Sequence, residues 1–304
     1  MLTRDFEVFD PRFAKLVFGN VHVDKLYTGC RWAEGPAWFP AHRYLVWSDI
    51  PNNRMLRWDE TDGSVSVFRE PADNSNGNTV DRQGRLVTCH HRSRMVVRTE
   101  HDGSRTVLAD AFKGRRLNSP NDIVEKSDGS LWFTDPSYGI DSDYEGDAAP
   151  SEIGACHVYR IAPSIGVITG AITAVATDFA KPNGLAFSPD ESLLYIADTG
   201  FSHGEQFPRH IRRFRVHGDT ISGGEVFASC DAGMFDGLRV DRGGNVWTSA
   251  GDGVRCYAPD GTLIGLVRIA EVVANCCFGG SKRNRLFICG TTSLYAVYLN
   301  TAGC

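Results

Sequence analysis

The chain has 304 residues, 42% hydrophobic, 23% charged and 11% aromatic, with a formal net charge of −5. It is long enough to bury a large core, and its mixed charges leave no basic stripe, which argues against a nucleic-acid partner. The opening MLTRDFEVFDPRF lacks the apolar run of a secretory leader, and no stretch approaches the roughly 20 apolar residues of a membrane span. Nine cysteines, none in a CxxC pair, read as reduced thiols in a cytoplasmic protein rather than a zinc site or disulfide frame.

Helical periodicity is weak, and short apolar or alternating runs bounded by Gly, Asn and Asp dominate. Residues 21–28 form a strand with no partner close in sequence. A unit then begins that repeats six times: a Gly-containing turn, a strand, a DG-type turn, and a second strand ending in a small or acidic residue. The copies are EGPAWFPAHRYLVWSD (34–49), NGNTVDRQGRLVTCHH (76–91), PNDIVEKSDGSLWFTD (120–135), PNGLAFSPDESLLYIAD (182–198), FDGLRVDRGGNVWTSA (235–250) and ANCCFGGSKRNRLFICG (274–290). Third strands follow at 95–98, 158–161, 211–216 and 253–257, and fourth strands at 65–68 and 263–269. Six copies of a four-stranded unit predict an all-β fold, a six-bladed β-propeller formed as one domain over 1–304. The 21–28 strand is expected to close the last blade beside 294–299. The polar stretches 138–154 and 200–210 break the pattern and are expected to form long loops on one face, with the character of a substrate lid.

The first strand of a propeller blade lines the central channel. The start of each copy therefore sets one residue near one channel end: Glu34, Asn76 or Asn78, Asn121, Asn183, Asp236 and Asn275. Each Asn or Asp taken alone could simply form its own turn. The same repeat position is polar every time, however, and Glu34 is a poor turn former. Together they make a hard, all-oxygen set of the kind calcium prefers. With four positions filled, others stay open to water or substrate, as in a catalytic site. Asp236 is placed to act as ligand and general base, with Asp122, Asp135 and Asp198 as alternatives near the same mouth. His91 ends its strand as Asp135 ends its own, and could meet substrate hydroxyls. No G-x-S-x-G elbow supports an acyl-serine route.

The motifs E-G-P (34–36), S-P-N-D (119–122), F-T-D-P-S-Y-G (133–139), P-N-G (182–184), A-D-T (197–199) and F-D-G (235–237) resemble those of the gluconolactonase and regucalcin (senescence marker protein) family of six-bladed propellers. Diisopropylfluorophosphatase is a more distant relative. The resemblance is closer to the bacterial gluconolactonase branch, because the animal branch has an arginine where this chain has Ser119. It implies that Glu34, Asn183 and Asp236 ligate one divalent metal, and that Asn121 ligates it or contacts substrate. The ion expected is calcium, with magnesium, manganese or zinc as alternatives. The implied activity is hydrolysis of a sugar lactone such as gluconolactone; Asp122, His91 and Asp135, from their places near the channel mouth, are expected to meet the substrate beside Asn121. A phosphotriesterase on the same metal and a non-enzymatic calcium- or ligand-binding propeller are the competing readings.

Overall fold

The computed structural model describes residues 3–163 and 170–304. Among the described residues six antiparallel sheets follow one another around a ring, each running outward from an inner strand, and a seventh, two-stranded one pairs Ala111–Phe112 with Arg115–Arg116. Blade 1 is Ala33–Phe39, Tyr44–Asp49, Arg54–Asp59 and Val65–Arg69; blade 2 is Ser75–Val80, Leu86–His90, Met95–Thr99 and Arg105–Ala109. Blade 3 is Ile123–Glu125, Leu131–Asp135, Cys156–Ile161 and Ile172–Phe179; blade 4 is Pro182–Phe187, Leu193–Asp198, His210–His217 and Thr220–Ser229. Blade 5 is Leu238–Val240, Val246–Ala250, Gly253–Tyr257 and Leu263–Arg268; blade 6 is Val273–Gly279, Arg285–Gly290 and Ser293–Tyr298. Each inner strand touches the next, and that of blade 6 returns to that of blade 1, so the ring is closed. The hairpins turn at residues that accept positive φ, such as Gly84, Gly129 and Gly244 at +78°, +82° and +80°.

Alternation along the strands gives every blade two apolar faces, and the core is divided into six layers, one per blade junction. Met55 and Leu86 join blades 1 and 2, Val87 and Phe133 join 2 and 3, and Trp132 and Leu194 join 3 and 4. Tyr195 and Val246 join blades 4 and 5, Trp247 and Leu286 join 5 and 6, and Phe287 and Trp47 join 6 and 1. The closing strand forms as expected: Asp24–Thr28 pairs with Ser293–Tyr298, setting Thr28 opposite Ser293. One element differs from the sequence expectation. Phe6–Val8 adds a fifth strand to blade 5, opposite Gly265–Val267. Three residues carry too little alternation to signal a strand. The following helical turn, capped by the Asp10 carboxylate, sets Phe13 fully buried 5.8 Å from the Trp247 ring. Among the described residues no helix is long and apolar enough to cross a membrane, and the nine cysteines are free.

Candidate active site

The inner strands begin with a polar residue followed, in four blades, by glycine: Glu34–Gly35, Asn76–Gly77, Asn183–Gly184 and Asp236–Gly237. The glycine is a packing requirement. A Cβ on Gly35 would lie 2.1 Å from the Asn76 carbonyl oxygen, one on Gly77 would lie 2.2 Å from that of Asn121, and one on Gly184 would lie 2.1 Å from that of Asp236. Without side chains at these points the strand starts hydrogen-bond across blade boundaries. Gly77 N–H donates to the Asn121 carbonyl at 2.7 Å and Gly184 N–H to the Asp236 carbonyl at 3.1 Å. The polar residues are thereby drawn into one ring at one channel end.

Glu34 is buried, and its carboxylate accepts from its neighbour Gly35 N–H and, at 3.0 Å, from Asn275 Nδ2. Burial and the nearby Asp122 charge push its carboxyl up to about 8. Asp236 is likewise held well above the usual carboxylate range, first by burial and then by the Glu34 charge, partly offset by a hydrogen bond from Asn183. The Asn183 Nδ2 also reaches Thr199 Oγ1 at 3.4 Å. Asn121 is buried, with its backbone carbonyl given to Gly77. Glu34, Asp236 and Asn183 lie close enough to perturb one another, and Asn121, just before the inner strand of blade 3, is bonded to Gly77. Among the described residues no three His, Cys, Asp or Glu side chains form a metal cluster. The donor set here has two carboxyls, and its other oxygens belong to amides.

The ambiguity in blade 2 resolves by chemistry. Asn78 spends its Nδ2 on the Gly35 carbonyl, Ser48 Oγ and the Asn76 carbonyl at 2.8, 3.0 and 2.9 Å, so it stitches blades together. Asn76 holds the ring position. Two other residues expected to meet the substrate have protein partners in the structure. Asp122 Oδ1 accepts from Ile123 N–H at 2.9 Å and Oδ2 from Arg239 Nη1 at 3.2 Å, so its carboxylate is already engaged. Asp135 is fully buried; its Oδ2 accepts from Asn118 N–H at 2.9 Å, bracing the segment before Ser119, and its Oδ1 has no partner among the described residues. His91 is fully buried between the Asn76 amide and the Glu145 backbone carbonyl, each 3.2 Å away.

The two long loops meet above their blades. Tyr138 Oη lies 2.6 Å from Thr199 Oγ1 and 2.9 Å from Ser202 Oγ, and His203 Nε2 lies 2.9 Å from Asp141 Oδ2. Ser119 anchors the first loop: its hydroxyl donates to the Pro136 carbonyl and accepts from Gly139 N–H at 3.0 Å. Sequence reasoning missed Arg239, whose signal was a basic residue on an inner strand otherwise apolar, and missed the Tyr138–Thr199 link. A cavity of about 850 Å³ opens at the opposite mouth, against Phe39, Arg82, Glu125 and Phe187. Arg239 also borders it and reaches back to Asp122, standing between the two ends of the channel. The convergent carboxyls and amides lie at the strand starts, at the other end of the channel from this cavity.

The SMP-30/Gluconolactonase/LRE-like region matches residues 32–292. The chain belongs to that family. Within the SMP-30/gluconolactonase group it is 30% identical to the gluconolactonase of Zymomonas mobilis, over 97% of this chain and 86% of that protein. It is 28% identical to the pentonolactonase of Haloferax volcanii, over 86% of this chain and 82% of the relative. A solved gluconolactonase from Xanthomonas campestris superposes with a TM-score of 0.89 at 37% identity, covering 98% of this chain and 96% of that one.

Proposed function

We propose that the protein is a cytoplasmic, divalent-metal-dependent lactonase that opens a sugar lactone such as gluconolactone. The observation that carries this reading is the pair of buried carboxyls, Glu34 and Asp236, that raise one another beside amide oxygens at a channel end. Neither carboxyl has an ion-pair partner among the described residues, and a hard cation fits the oxygens of the set. Glu34, Asn121, Asn183 and Asp236 would hold the ion, most readily calcium. When bound, it supplies polarisation of the ester carbonyl. The substrate class is supported by the names of two relatives, a gluconolactonase and a pentonolactonase.

Asp236 serves as base in this reading. It accepts a proton from water as the water oxygen bonds to the lactone carbonyl carbon. The tetrahedral adduct breaks its ring C–O bond, and the proton passes from Asp236 to the departing ring oxygen, leaving the open hydroxy acid. Asn121 orients the substrate. Asp122, whose oxygens are held by Ile123 N–H and Arg239, is not asked to meet the substrate in this reading.

The test is hydrolysis of several lactones and a phosphotriester by metal-stripped protein, with calcium, magnesium, manganese and zinc returned singly. The reading expects sugar-lactone turnover restored best by calcium. Faster turnover of the phosphotriester than of any lactone would overturn it in favour of a phosphotriesterase. No turnover of any ester would leave a binding propeller.

A further inference from the structure

Asn76, on blade 2, stands across the six-bladed ring from Asp236, which begins blade 5. Its amide orientation is fixed from behind. His91 Nδ1 lies 3.2 Å from the Glu145 carbonyl oxygen, and His91 Nε2 lies 3.2 Å from Asn76 Nδ2. A carbonyl oxygen only accepts, so Nδ1 carries the proton. His91 is completely buried, and burial keeps the ring neutral by pushing its pKa down to about 4. Nε2 is then an acceptor, and only the NH₂ group of Asn76 can satisfy it. Asn76 Oδ1 is left buried with no partner among the described residues. Asn78 Oδ1 on the same strand is also without a partner, but the Asn78 amide is turned to the blade 1 backbone, whereas Asn76 lies at the start of its strand, at the ring, where an orphaned acceptor marks a place for a ligand donor.

We propose that Asn76 Oδ1 accepts a hydrogen bond from a hydroxyl group of the substrate, with His91 and the Glu145 carbonyl as positioning groups. The inference rests on the lactonase reading above. A hydroxyl is the donor proposed because the amides of Asn183 and Asn275 are the ones bonded to the Asp236 and Glu34 carboxyls, whereas the Asn76 amide is bonded to neither and is held by His91. Glu145 belongs to the long loop after blade 3's second strand, so the loop's position sets the direction of this acceptor.

The experiment compares kcat/KM for gluconolactone and for δ-valerolactone, which has the same six-membered ester ring without hydroxyls. In Asn76→Ala the preference for gluconolactone should fall about tenfold, the loss residing in KM. His91→Phe, which keeps the ring's bulk but removes the acceptor, should lose the same preference, and it carries the test if Asn76→Ala does not fold. An equal loss on both lactones would overturn the proposal, as would weakened calcium binding in Asn76→Ala with the preference intact. Wild-type protein inactive on both lactones would instead defeat the lactonase reading, and this proposal with it.

Discussion

Glu34 and Asp236 tie stability to pH and to metal through their shared burial. A buried Glu34 with its carboxyl raised to about 8 keeps a proton in the folded state that the unfolded chain, at its ordinary 4.5, has released. This contribution to ion-free stability is fully present below about 4.5 and is lost as pH rises to about 8. Cation binding must displace the same protons, so affinity should rise over that window. Glu34→Gln and Asp236→Asn keep an oxygen and the volume but delete a charge. In chelator at pH 8 each should raise the melting temperature, on the order of 5 °C. At saturating metal Asp236→Asn should lose about 10²-fold more kcat than Glu34→Gln, because only Asp236 is asked to take a proton. Equal losses would remove that role from Asp236. The ring residues were legible because a polar residue recurred at one repeat position, most often with glycine after it. Asp122 and Asp135 looked equivalent to them in sequence. Their actual partners, Arg239 and the Asn118 N–H, are 117 and 17 residues away, and nothing local announces them.

The elements that complete the site are the two loops. Their polar composition and their place on one face were readable as breaks in the repeat. Their contact was not, because it pairs Tyr138 with Thr199 across 61 residues. Thr199 Oγ1 is also the group beside Asn183 Nδ2, so the loop junction touches the ring. Tyr138→Phe removes only the bridging hydroxyl. Steady-state kinetics should show KM raised about fivefold, in line with a bond worth ~1 kcal/mol, with kcat little changed. An unchanged KM would mean that the junction does not hold the loops in place.

At the scale of the molecule, stability resides in six blade junctions and in closure of the ring. The closing strand was predictable because 21–28 reads as a strand with no partner close in sequence. The extra strand and the Phe13 anchor were not, since they are short and depend on a blade more than 200 residues away. Phe13→Ala should lower the unfolding free energy by about 3–5 kcal/mol in urea titrations, while folded protein keeps its activity. Metal is not needed for this core, so chelated protein should retain a native far-ultraviolet circular dichroism spectrum. The central claim is that one ion on the Glu34–Asp236 ring supports lactone hydrolysis. It is tested most directly by titrating calcium into stripped protein while gluconolactone hydrolysis is followed by proton release. The account predicts negligible turnover without metal and a rise that saturates at one bound ion per chain. Full turnover in protein whose measured metal content is near zero would contradict it.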